Sequence, residues 1–182
     1  MQHPIFSDLP EILTERLLLR PLHSGDEEAI FAYASDPRID SYVVWEHHRT
    51  IAESQLYLLG VLQRYAAGDA APWGMVDRSS NELIGTVGFV EIWPSHARAE
   101  IGYALAPRCW NRGLTTEATR TVIEYGFGEM KLHRIEARCD PQNLASARVM
   151  EKSGMQYEGT LRGQMQVKGA PRDMKMYAVI RS

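Results

Sequence analysis

The feature that most constrains the fold is a change of hydrophobic period at Ala71. Upstream, apolar residues recur at helical spacing. Downstream they fall into three strand-like runs, APWGMV, ELIGTVGFVEIW and RAEIGYALA, separated by DRSSN and PSH. Connections this short join antiparallel neighbours, because a parallel crossover is far longer. The third run enters a polar turn containing Gly113. It continues as GLTTEATRTVIEYGFGEM, a helix whose apolar side carries Ala118, Val122, Ile123 and Tyr125. Any fold for this chain must therefore set a three-strand meander beside that helix.

The flanks complete the order. RLLLRPL (16–22) reads as a strand ending at Pro21. SGDEEAIFAYAS reads as a helix capped by Ser24, with Asp26, Glu27 and Glu28 in its first turn, and Asp36-Pro37 breaks it. A second helix is expected from about Thr50 to Ala67, with Ala52, Leu56, Leu59 and Leu62 as its apolar stripe. After the meander and its helix, HRIEARC alternates as a strand. NLASARVMEKSG is a helix capped by Asn143 and closed by Gly154, and the tail predicts two strands about a turn at Lys168 to Arg172. Helices and strands in this order predict an α+β domain with one mixed sheet, and the 182 residues suit a single domain over 1–182.

Charge and cysteines exclude some classes. The net charge of −3 and the lack of a basic run argue against nucleic acid and anionic membranes as partners. Cys109 and Cys139 form no C-x-x-C pair and read as free thiols of a reducing compartment. No signal-like start and no apolar run of the roughly 18 residues a span needs are present, so the expectation is a cytoplasmic protein. His47 and His48 are adjacent but lack a third ligand at metal spacing, so no metal is expected.

The strand–turn–helix around Gly113 carries the chemistry. The first turn of a helix exposes unpaired N–H groups and a partial positive charge, which together hold phosphate. Gly113 admits close backbone approach, Thr115 and Thr116 offer hydroxyls, and Arg112 adds charge. The alternative is an ordinary capped helix entry. Neither G-x-x-x-x-G-K-S/T nor G-x-G-x-x-G occurs.

Three blocks then decide between these readings. EIGYAL followed by WNRGLTTEA (110–118), NLASARVMEKSGM (143–155) and TERLLLRPL (14–22) closely resemble the motifs of the GNAT superfamily of N-acetyltransferases, in particular its RimJ/RimL-type branch. They stand in the branch's order and cover about residues 14–157. The superfamily form Gln/Arg-x-x-Gly-x-Gly/Ala falls here on Trp110, Gly113 and Thr115, so the first and last positions depart from it while resembling the branch.

The resemblance implies a GNAT fold, with a central mixed, mostly antiparallel sheet flanked by helices on both faces. It implies acetyl-CoA as co-substrate and a primary amine as acceptor, either a protein N-terminal α-amino group or a small molecule such as an antibiotic or polyamine. Backbone amides of Asn111, Arg112, Gly113, Leu114, Thr115 and Thr116 would hold the pyrophosphate. Tyr103, Ala104, Leu105 and Ala106 would pair with pantetheine, and Asn143 and Ser146 would contact CoA. Asn143 is equally readable as a plain helix cap.

Direct transfer needs a neutral amine, an oxyanion donor and a proton for the departing thiolate. The N–H near Leu105 is the expected oxyanion donor. The tyrosine acid of many GNAT enzymes corresponds to Met150 here, which leaves Ser146 as the candidate acid. Glu100 is the first candidate base and Glu91 the second, and the plain alternative for Glu100 is a salt-bridged strand glutamate. Trp45, Trp73 and Trp93 are either acceptor walls or core. A non-catalytic acyl-CoA sensor is the remaining reading, and the chain is expected to be a monomer or homodimer.

Overall fold

The computed structural model describes residues 4–41 and 43–181. Its strands are β1 (Ile12–Leu13), β2 (Leu17–Arg20), β3 (Pro72–Asp77), β4 (Glu82–Trp93), β5 (Arg98–Leu105), β6 (Arg134–Cys139), β7 (Gln156–Val167) and β8 (Ala170–Ile180). The helices are α1 (Glu27–Ala34), α2 (Ile51–Ala67), α3 (Leu114–Gly128) and α4 (Leu144–Lys152). All strands join one sheet in the order β1-β2-β3-β4-β5-β6-β8-β7. Only β5 and β6 pair in parallel, so the sheet is mixed and mostly antiparallel.

Register assigns the two faces. Val87 lies opposite Tyr103 and Phe89 opposite Ile101, so these four share one face. Phe89 packs edge-on against Trp73, and Trp73 against Tyr125 of α3, at centroid distances of 6.2 and 5.4 Å. Tyr103 reaches Ser146 of α4. The other face presents Thr86, which Tyr33 of α1 and Tyr57 of α2 reach. Helices therefore cover both faces, α3 and α4 on one and α1 and α2 on the other.

Local differences from the sequence reading have physical causes. Helix α1 begins after Asp26, not Ser24, because Gly25 sits at φ +106°, outside helical space. The Asp26 carboxylate does not cap the helix but pairs with both terminal nitrogens of Arg20 at 2.8 Å. Helix α2 buries Ser54, Leu58 and Val61, while Leu56 and Leu59 of the expected stripe are 70% and 52% exposed. Two apolar stripes compete on this helix. The buried side also carries Tyr65, whose hydroxyl accepts from the Leu22 N–H at 3.1 Å. The final turn is shorter than expected, since β7 ends at Val167 and β8 starts at Ala170. Strand β1 is too short to show a period.

A β-bulge in β4 between Phe89 and Glu91 shifts the alternation by one residue, so that Glu91 and Trp93 follow Thr86 and Gly88 on the α1/α2 face. Beyond it Glu91 lies opposite Glu100 and Trp93 opposite Arg98. Strand β6 adds Glu136 opposite Glu100 and Arg134 opposite Arg98. Charged residues from three adjacent strands thus converge on one patch.

Candidate active site

Strands β5 and β6 pair only from Arg98 to Glu100 and from Arg134 to Glu136. Beyond this they part, although each continues as a strand on its other edge. The Ala106 N–H donates to Ile84 O on β4 at 2.8 Å. Backbone direction alternates along a strand, so the Ala104 amide also points to β4 while Tyr103 and Leu105 point into the gap. The Leu105 carbonyl accepts from the Trp110 indole at 2.8 Å. The N–H groups of Tyr103 and Leu105 face an opening with no strand across it. Trp110 fastens the following turn to the strand end, which explains tryptophan at this place.

That turn runs Asn111-Arg112-Gly113 into α3. Asn111 and Gly113 both have left-handed backbone, at φ +60° and +77°. No side chain caps the helix. Its first backbone bond is the Glu117 N–H to Gly113 O at 3.1 Å, so the amides of Leu114, Thr115 and Thr116 have no intrahelical acceptor. Buried Leu114 anchors the helix start in the core, while Asn111, Arg112 and Gly113 are exposed. Glu117 holds the turn from below by accepting from Arg16 Nε at 2.7 Å and Thr14 Oγ1 at 2.6 Å. Arg16 Nη1 also donates to Arg112 O at 2.7 Å. Beside Gly113 lies a cavity of about 510 Å³ with Arg16, Arg120 and Lys152 in its lining. The sequence reading did not single out these three cations, whose proximity depends on the packing of α3 against β2 and α4.

The α4 side of the gap holds a hydroxyl pair. Tyr103 Oη lies 2.8 Å from Ser146 Oγ and donates to Ser146 O at 3.1 Å. Burial pushes the Tyr103 hydroxyl well above its ordinary range, so it stays protonated. Burial likewise pushes the Cys139 thiol on β6, which also approaches Ser146, up to about 11. Asn143 Oδ1 accepts from the Ser146 N–H at 2.9 Å and caps α4. Met150 is buried in the core.

The opposite side of the gap is ionic. Glu100 is 5% exposed, and the guanidinium of Arg138 on β6 takes both its oxygens, Nε to Oε1 at 2.6 Å and Nη2 to Oε2. The pair spans the point where the strands part. Glu91, directly across β4, is exposed, and no hydrogen bond or ion pair engages it among the described residues. The adjoining cavity, of about 420 Å³, is walled by Trp93, Arg98, Arg134, Glu158, Leu161 and Met176, among others.

The remaining candidates lie elsewhere. Trp73 is core at 0% exposure, Trp93 lines the cavity, and Trp45 packs on His48 at 5.5 Å. Asp40 pairs with His47 Nδ1 at 2.5 Å, and His48 Nδ1 lies 2.7 Å from Ser54 Oγ. His96 and His133 are exposed. Among the described residues no three His, Cys, Asp or Glu side chains form a metal-binding group, and no helix is long and apolar enough to cross a membrane.

A strand pair that parts beside an uncapped helix N-terminus offers open backbone amides to an extended ligand that carries phosphate. The model of the acetyltransferase (GNAT) domain matches residues 16–156, and the chain belongs to that family. It is 36% identical over 172 residues to the uncharacterised N-acetyltransferase YoaA of Bacillus subtilis, covering 94% of this chain and 97% of that protein. It is 27% identical to the ribosomal protein uS5-alanine N-acetyltransferase of Escherichia coli, over 95% of this chain and 93% of the other. The crystal structure of a GNAT-family acetyltransferase from Bacillus anthracis superposes with a TM-score of 0.83 at 32% identity, covering 94% of this chain and 98% of that one. The chain is thus an acetyl-CoA-dependent N-acetyltransferase with the GNAT fold and RimJ/RimL-type relatives.

Proposed function

We propose that the chain acetylates the α-amino group of a polypeptide N-terminus by direct attack on the thioester of acetyl-CoA. The observation that carries this reading is the parting of β5 and β6. It opens the Tyr103 and Leu105 amides beside the uncapped start of α3 and leads onto the cavity on the α1/α2 face. Likeness to the uS5-alanine N-acetyltransferase over nearly the whole chain supports an α-amino acceptor.

The backbone from Tyr103 to Ala106 would hold the pantetheine arm of acetyl-CoA, and the amides from Asn111 to Thr116 its pyrophosphate. Asn143, whose side chain caps α4, would contact CoA from the start of that helix. The Leu105 N–H stabilises the oxyanion as the amine attacks. On the α4 side Ser146 Oγ gives its proton to the departing thiolate as it takes up, through water, the second proton that the attacking nitrogen sheds, while the Tyr103 hydroxyl 2.8 Å away holds Ser146 in place and stays protonated.

On the acceptor side two carboxylates divide the work. Glu100, both oxygens held by Arg138, fixes the wall of the gap and supplies negative charge toward the ammonium. Glu91, whose oxygens are open, takes the ammonium proton directly or through water. The test is release of free thiol from acetyl-CoA with a panel of N-terminal peptides and of small amines, including polyamines and aminoglycosides. Turnover with peptides and not with their N-terminally blocked forms supports the reading. Turnover confined to small amines replaces the acceptor, and CoA binding without turnover on any acceptor makes the chain a sensor.

A further inference from the structure

The cavity on the acceptor side contains one guanidinium without a counter-ion at hydrogen-bonding distance. Arg134 is fully engaged: its Nε donates to Glu136 at 2.9 Å, and its Nη1 and Nη2 donate to the two oxygens of Glu158 at 2.8 and 2.5 Å. Arg138 is engaged by Glu100. Arg98 lies flat over the Trp93 ring, 4.1 Å from its centroid. Its nearest carboxylate oxygen, on Glu136, is 4.0 Å away and is already held by Arg134. Among the described residues the Arg98 side chain makes no hydrogen bond, and its Nε is buried without a partner. Yet its side chain is 36% exposed, so the Nη groups reach the cavity.

Formal charge in this cluster balances, but commitment does not. Glu100, Glu136 and Glu158 all accept from arginines at hydrogen-bond distance, whereas Arg98 donates to none. A stacked guanidinium with open Nη donors is suited to a planar carboxylate, which it can bind through two parallel hydrogen bonds. Trp93 holds the fork in one orientation, so little side-chain entropy is lost when an anion binds.

Position gives the anion's distance from the reacting amine. Arg98 lies two residues before Glu100 on β5, on the same face, while the gap opens beyond Glu100. At about 3.4 Å per residue, Arg98 and Glu100 start about 7 Å apart along the strand. An acceptor whose amine lies against Glu100 and Glu91 would therefore place an anion several bonds away at Arg98. Leu161 and Met176 supply an apolar wall for the chain between the two.

We propose that Arg98, seated on Trp93, selects acceptors carrying a carboxylate a few bonds from the acetylated amine: an acidic residue at the first or second position of a peptide N-terminus, or a free amino dicarboxylic acid. This rests on the transferase reading above and names its substrate class. The lone guanidinium acts as the specificity contact, and the carboxylate pair Glu91 and Glu100 receives the ammonium.

The test compares kcat/KM by thiol release for tetrapeptide amides beginning Asp-Ala, Ala-Asp, Asn-Ala, Ala-Asn and Lys-Ala, together with free aspartate and glutamate. An acidic first or second residue should raise kcat/KM about tenfold or more over its amide counterpart, the range of one charge-assisted hydrogen-bonded contact. Arg98→Met keeps an unbranched side chain over Trp93 and should bring the acidic-to-amide ratio close to one. Calorimetric titration with acetyl-CoA reports whether that variant is folded. Peptide and free-acid arms distinguish the two sources of the carboxylate. Equal rates for acidic and amide acceptors, preference for Lys-Ala, or an unchanged ratio in Arg98→Met would overturn the assignment while leaving the transferase reading intact. No turnover on any acceptor in the wild type would remove both.

Discussion

Replacing Gly113 separates the backbone's part in cofactor binding from any side-chain part. Gly113 is the residue before α3 and has φ +77° and ψ +4°. An added Cβ would meet only Arg16 Nη2, at 3.5 Å, an ordinary contact, so space inside the protein does not exclude a side chain. The obstacle is conformational. Left-handed backbone costs an L-residue about 1–2 kcal/mol, and a β-branched residue more. Gly113→Val relieves that cost by rotating the turn, which swings the amides at the start of α3 away from the phosphates. A hydrogen bond to a charged group contributes about 1.5–3 kcal/mol, so losing one weakens binding about 10- to 100-fold. Asn111 already occupies left-handed space two residues earlier, so Gly113→Asn is expected to keep the turn. Calorimetric titration with CoA and with pantetheine, which lacks the pyrophosphate, is the assay. Valine should weaken CoA and leave pantetheine little changed, and asparagine should stay near wild type. CoA affinity unchanged in the valine variant would refute the assignment of this turn.

Other expectations follow from the same geometry. Ser146→Ala should lower kcat by about 10- to 100-fold with little change in CoA affinity, and Tyr103→Phe should lower it less, since the first removes the acid and the second only the hydrogen bond that holds it; equal kcat in Ser146→Ala removes it as the acid. Glu91→Gln should depress kcat/KM most at neutral pH while sparing the melting temperature. Glu100→Gln breaks a largely buried pair with Arg138 and should cost about 3 kcal/mol of stability as well as activity. A melting temperature unaltered in Glu100→Gln contradicts the structural half of that contrast. Cys109 and Cys139 are buried, and the Cys139 thiol is pushed up to about 11, so neither should react with iodoacetamide in native protein at pH 8, whereas both should after denaturation. Burial raises the Asp26 carboxyl, but hydrogen bonds from Arg20 and the His23 N–H outweigh it and hold it below the usual carboxylate range. Its contribution is therefore fully present above about pH 4 and is lost as pH falls through the lower folded value. Asp26→Asn should flatten the acid limb of a stability-versus-pH curve.

Much of the fold was legible in the chain because local signals agreed with long-range ones. Strand β4 occupies the span its alternation and the flanking DRSSN and PSH turns delimit. The Asn143 cap and the turn at Gly113 were readable because each depends on backbone next to the named residue. The α2 face was misread, since two apolar stripes compete on that helix and only the tyrosine contacts across the sheet decide between them. On the ionic side the sequence named Glu100 and Glu91, and even a salt-bridged Glu100, but not the arginine that holds Glu100. Glu100 and Arg138 lie 38 residues apart, and Arg98 acquires its meaning from Trp93 across a hairpin and from carboxylates of β6 and β7 already taken by Arg134. Tyr103 stood among the residues expected to pair with pantetheine, but its hydroxyl meets Ser146 only once α4 packs on the sheet.

The most direct test of acetyl transfer at the β5–β6 gap is a coupled readout from one reaction. Wild-type protein is mixed with acetyl-CoA and an acidic N-terminal peptide, free thiol is followed, and the peptide mass is measured at the end. One thiol released for each peptide that gains a single acetyl group on its α-amino nitrogen, with both readouts falling together in Ser146→Ala and Gly113→Val, is the predicted result. Thiol release without acetylated peptide, or transfer undiminished in both variants, would contradict it.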